Sequence, residues 1–93
     1  MQGMLSAEGA AFAARAKLAF HELPSHGVRG ESGRKHPLNK YREHVDLGQF
    51  NFAGNEAHGI GKQLEDAGRH EDAIQWHRWD VLNQEQARHA TAR

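Results

Sequence analysis

Cysteine is absent from the 93 residues. That excludes a disulfide framework and a thiolate-bound zinc site. It also fits a reducing compartment, so a cytoplasmic location is expected, or delivery into a cytoplasm. No apolar run approaches the roughly 18 residues of a membrane span, so no membrane association is expected. The opening "MQGMLSAEGAAFAARAKLAF" has no charged stretch ahead of an apolar core, and Arg15 and Lys17 interrupt its apolar face. It does not read as a signal peptide. Apolar residues make up only 38% of the chain, and several are alanine. That is lean for one small domain folding alone. A partner, or a second copy in a homodimer, would supply the missing burial.

Net charge is also absent: 12 Lys and Arg balance 12 Asp and Glu. The balance hides a strong asymmetry. Residues 1–25 are neutral, 26–45 carry +3 and 46–93 carry −3. The cationic block is "HGVRGESGRKHPLNKYREH", His26 to His44, with five Lys or Arg, three His and three Gly. Such a block meets an anionic partner or folds back on the acidic half.

Hydrophobic periodicity predicts a mostly α fold, a small bundle of about four helices in one domain. The first helix spans 6–23, with Ser6 as N-cap and Glu8 in the first turn. Ala7, Ala11, Phe12, Ala14, Leu18 and Phe20 form its expected apolar stripe, and Pro24 ends it. A Gly-rich basic loop covers 24–36. The second helix spans 37–47, opened by Pro37 and closed by Gly48, with Leu38, Tyr41 and Val45 on one face. "QFNFAGN" reads as an extended linker with Phe50 and Phe52 as anchors. A helical hairpin then covers 54–90, as helices over 54–67 and 70–90. Ala57, Ile60 and Leu64 face inward on one arm. The other carries Ala73, Ile74, Trp76, Trp79, Val81 and Leu82, wider than a single stripe.

In residues 54–87, Ile60-Gly61, Leu64, Gly68 and Ala73 stand where a tetratricopeptide repeat has its L-G pair, Tyr, turn and small crossing residue. This segment resembles one such helical hairpin. Ala57, His77 and Glu85 replace the repeat's Trp, aromatic and Pro. The resemblance implies antiparallel arms, with Ala73 packed against Ile60 or Gly61. In general style the chain also resembles the small His- and Gly-rich domains that end bacterial polymorphic toxins, many of them nucleases. No residue role follows from that likeness.

Eight histidines bring the titratable chemistry. "HELPSH" misses the HExxH spacing by one residue, and Pro24 breaks its helix. His70, His77 and Asp80 share a helix face. His77 is read instead as filling the aromatic slot of the hairpin and His70 as a surface residue, so no metal and no other cofactor is expected. The basic stretch suits phosphate better. Gly27, Gly30 and Gly33 let backbone N–H groups approach an oxyanion. Arg29, Arg34, Lys35, Lys40 and Arg42 supply charge, and the helix starting at Pro37 aims its N–H groups at the same space. His26, His36 and His58 are the candidate acid and base groups. The expected function is therefore nucleic-acid-directed, RNA rather than DNA, as a metal-independent toxin-type nuclease. The alternative is a non-enzymatic protein-interaction module. Its hairpin would bind a protein partner through Trp76 and Trp79, with core burial claiming one of the two.

Overall fold

Ser6 starts the first helix. Its hydroxyl accepts the Gly9 N–H at 2.9 Å and so satisfies one of the free donors of the first turn. The structure, a computed structural model, describes residues 6–91. Four helices and no strand occur among them: α1 (Ala7–Phe20), α2 (Pro37–Asp46), α3 (Phe50–Asp66) and α4 (His70–Thr91). The expected mostly helical bundle is what the chain forms. No described helix is long and apolar enough to cross a membrane.

α1 buries only the aromatic part of its expected stripe. Gly9, Phe12, Ala13 and Ala16 point inward, while Ala7, Ala11, Ala14 and Leu18 are exposed. Alanine occurs all round this helix, so it marks no face. Phe12 and the half-buried Phe20 decide the orientation, because ring burial outweighs methyl burial several-fold. Regular helix ends at Phe20 rather than 23. Three tighter turn bonds, including Leu23 N–H to the Phe20 carbonyl at 3.2 Å, carry the chain to Pro24.

The α2–α3 connection also differs from expectation. Gly48 adopts φ 74°; its N–H bonds the Val45 carbonyl at 3.1 Å and the Gln49 N–H bonds that of His44 at 2.9 Å. That paired pattern reverses the chain within three residues, and only glycine enters it without a Cβ penalty. Helix resumes at once, so "QFNFAGN" is the start of α3 and not an extended linker. Phe50 anchors it inside, 3% exposed, and Phe52 faces out. The same device closes α3: Gly68, φ 81°, bonds Glu65 and Arg69 bonds Leu64, both at 2.9 Å.

α3 and α4 form the main contact of the fold, and α2 packs on α3. Phe50, Ala53, Ala57, Ile60 and Leu64 meet Ala73 and Trp76 in one core. Gly61 does face α4, but against the His77 ring, one turn beyond Ala73: a Cβ there would lie 2.6 Å from it. Two aromatic groups complete the core. Phe12 meets Phe50 edge-on at 5.1 Å and Trp79 at 6.0 Å. Tyr41 lies between Phe20, stacked at 6.0 Å, and Trp76, edge-on at 5.3 Å.

One polar pair sits inside this core. Asn83 is fully buried; its amide donates to the Tyr41 hydroxyl at 3.1 Å and to the Trp79 carbonyl at 2.8 Å. Burial pushes the Tyr41 hydroxyl from 10.0 to about 12, opposed by the weaker effect of the Asn83 bond. The raised value means that the folded chain holds this proton after the unfolded chain has lost it. Stability is therefore intact below pH 10 and falls between pH 10 and about 12. The full loss from this group is about 2–3 kcal/mol. Urea unfolding across that window should show the decline in the parent and a shallower one in Tyr41→Phe.

Candidate functional site

The Gly-rich loop is held down by the hairpin. Gln63 on α3 pairs with the backbone of Arg29 in both directions: its Oε1 accepts the Arg29 N–H and its Nε2 donates to the Arg29 carbonyl at 3.1 Å. Arg69, in the α3–α4 turn, clasps Asp72 through Nε at 2.9 Å and donates through Nη1 to the His26 carbonyl. Gly27 makes room for that guanidinium, since a Cβ there would lie 2.9 Å from Nη1. At the loop's start, the Trp76 indole N–H donates to the Pro24 carbonyl at 2.8 Å. Neither Gln63 nor Arg69 is recognisable in sequence as a partner of the loop, because each lies more than 30 residues away.

The candidate histidines belong to three separate sets of contacts. His36 is the N-cap of α2. Its Nδ1 accepts the Leu38 N–H at 3.2 Å, and its ring rests on Gly30, where a Cβ would come within 2.9 Å. That lone pair is engaged, and so is one of the N–H groups expected to face an anion. The His26 side chain is exposed, while its carbonyl serves the Arg69 clasp. His58 lies on α3 and meets α4, with Nδ1 3.3 Å from Asp80 Oδ2 and its ring 5.4 Å from that of His77. His77 in turn reaches Glu65 through Nε2 at 3.0 Å.

The five predicted cations divide sharply. Lys35 bonds Glu43 at 2.7 Å, which holds that carboxyl below its usual range. Lys40 pairs with Glu56 at 3.6 Å and Arg34 with Glu31 at 3.4 Å. Exposed pairs of this kind contribute about 0–1 kcal/mol, so a phosphate can compete for such a lysine. Among the described residues the Arg29 and Arg42 guanidiniums have no carboxylate partner. Arg42 lies over the Phe20 ring at 5.9 Å, a cation–π contact that orients it.

Arg42 also borders three shallow depressions, one between α1 and α2, one along the outer side of α2 and one reaching from α2 to the start of the loop. Lys17, Phe20 and His21 line the first and Lys35, Asn39 and Glu43 the second, with Asp46 common to both. The third adds Leu23 and Leu38, with the buried Trp76 behind them. Lys17 pairs with Asp46 at 3.1 Å and Lys35 with Glu43, which leaves Arg42 as the groove cation without a carboxylate partner among the described residues. His21 and Lys17 belong to this groove and were not among the predicted site residues. They precede the basic block in sequence, and α1 returns them to it.

The predicted protein-binding pair separates too. Trp76 is fully buried and serves the core and the loop, so it offers no surface to a partner. Trp79 is half-buried against Phe12.

The double clasp on Arg29 has a direct consequence. Gln63→Ala should speed amide exchange at Arg29 and proteolysis within 26–36, and lower stability by no more than about 1 kcal/mol. Unchanged protection of the loop would contradict the clasp.

Family models, curated proteins and solved structures give no match to this chain, so the geometry carries the functional reading.

Proposed function

We propose that the protein is a small binding module for an anionic polymer, single-stranded RNA being the expected class, and that the groove around Arg42 holds it. The observation that carries this reading is the Arg42 guanidinium. It is without a carboxylate among the described residues, oriented on Phe20, and common to all three depressions. Its planar fork matches phosphate oxygens, and Phe20 and Leu38 give the groove an apolar floor beside the charge. Lys17 and Lys35 flank it in weak, exposed pairs that phosphate can displace. The reading needs no catalysis. His36 is occupied as a cap, and the imidazole at the groove is His21.

A second reading, a protein-interaction module, is favoured by the outer face of α4. There Ile74 and Val81, seven residues apart, are 59% and 54% exposed.

Gel mobility with a single-stranded RNA oligonucleotide at two salt concentrations separates these. Binding should weaken steeply with salt, because phosphate contacts release counterions. Arg42→Ala should lose most of the retained complex. Arg34→Ala should behave as the parent and unfold within about 0.5 kcal/mol of it. If Arg34→Ala weakens binding and Arg42→Ala does not, the site returns to the loop. No shift by the parent at low salt, with Ile74→Ser/Val81→Ser abolishing capture of a protein, would favour the interaction module.

A further inference from the structure

The α3–α4 seam carries a second constellation, separate from the groove. His58 from α3 meets His77 and Asp80 from α4, and one ligand atom from each lies within 4.8 Å of the others. We infer that these three side chains form a transition-metal site, with Zn²⁺ as the fitting ion, that links the two arms of the hairpin.

The spacing supports it. His77 and Asp80 are three residues apart on α4 and so share a face. In a tetrahedral site with bonds of about 2.0–2.1 Å, neighbouring ligand atoms lie roughly 3.3–3.4 Å apart. His58 Nδ1 and Asp80 Oδ2 are already at 3.3 Å. The other pairs lie within 4.8 Å and would close to that spacing on metal binding, and the His58 side chain is exposed. The support around His77 is the more telling feature. Its Nε2 is engaged by Glu65 Oε2 at 3.0 Å, which leaves Nδ1 for a metal. A carboxylate on the far nitrogen is the usual way a ligating imidazole is oriented and made more basic. The ring lies flat on α3 because residue 61 is glycine; a Cβ there would fall 2.6–2.8 Å from three of its atoms. Glycine is less favourable than alanine in a helix interior, and the position of this imidazole accounts for its use here.

Two imidazoles and a carboxylate are a borderline donor set that suits Zn²⁺ over Mg²⁺ or Ca²⁺. Three protein ligands leave a fourth position open to water or to a further ligand. His70, grouped with His77 and Asp80 on the helix face in sequence, is exposed at the start of α4 and outside the cluster. The third ligand comes from the other arm, 19 residues away from His77.

The test is Zn²⁺ titration of the protein without a polyhistidine tag, by competition with a chromogenic indicator. Co²⁺ substitution and its visible spectrum report geometry. The parent should take up one equivalent, show a tetrahedral Co²⁺ spectrum and melt at higher temperature with Zn²⁺. His58→Gln, His77→Gln and Asp80→Asn should each weaken uptake by more than about tenfold, and Glu65→Gln by about tenfold. His70→Gln should leave uptake unchanged. Circular dichroism of each variant checks that the helices persist. Absence of stoichiometric uptake by the parent would overturn the site. So would uptake that survives all three ligand substitutions, or that is spread over several weak histidine sites.

Discussion

The indole of Trp76 is the constraint on which the rest of this structure depends. It is fully buried on α4, edge-on to Tyr41 of α2 and to Phe20 of α1. Its N–H reaches the Pro24 carbonyl, where the long loop leaves α1. Removing an indole of about 150–250 Å² from water is worth at most about 4–6 kcal/mol. The single hydrogen bond adds about 1 kcal/mol. Burial therefore supplies the energy, and the bond supplies direction by fixing which end of the ring faces the loop. In a chain with only 38% apolar residues, three helices meeting on one side chain is an economical core.

Electrostatics does a different job. The exposed ion pairs are individually too weak to hold helices together. What they do is cancel the charge asymmetry where the helices meet. Lys17 reaches from α1 to Asp46 of α2, and Lys40 from α2 to Glu56 of α3. The +3 block is thus partly spent on its neighbours. Arg42 stays without a carboxylate partner beside the groove, and the clustered imidazoles lie at the α3–α4 seam. The groove is backed by the Phe20, Tyr41 and Trp76 rings, while the seam depends on Gly61 letting the His77 ring of α4 approach.

Much of the fold was legible in sequence. Ser6, Pro37, Gly48 and Gly68 act locally, within a few residues, and each does what its chemistry dictates. The inward positions of α2 and α3 followed from spacing, because Tyr41, Val45, Ile60 and Leu64 contrast with polar neighbours. α1 was misread since alanine on every side provides no such contrast. The α3 start was misread since alternation of Phe50 and Phe52 imitates a strand over a stretch too short to show a helical period. The site residues were harder. His36 as a cap, Gln63 as a clasp and His58 beside His77 depend on contacts between elements, which composition and spacing along the chain do not encode.

The central claim is that an aromatic-centred bundle presents an anion-binding groove around Arg42. An amide NMR titration with single-stranded RNA tests it most directly. The account expects saturable shifts at residues 17–21 and 35–46, with the inner residues of α3 and the loop amide of Arg29 unmoved. Shifts confined to 26–34, or to the face of α4 that carries Ile74 and Val81, would contradict it, as would the absence of any saturable shift at low salt.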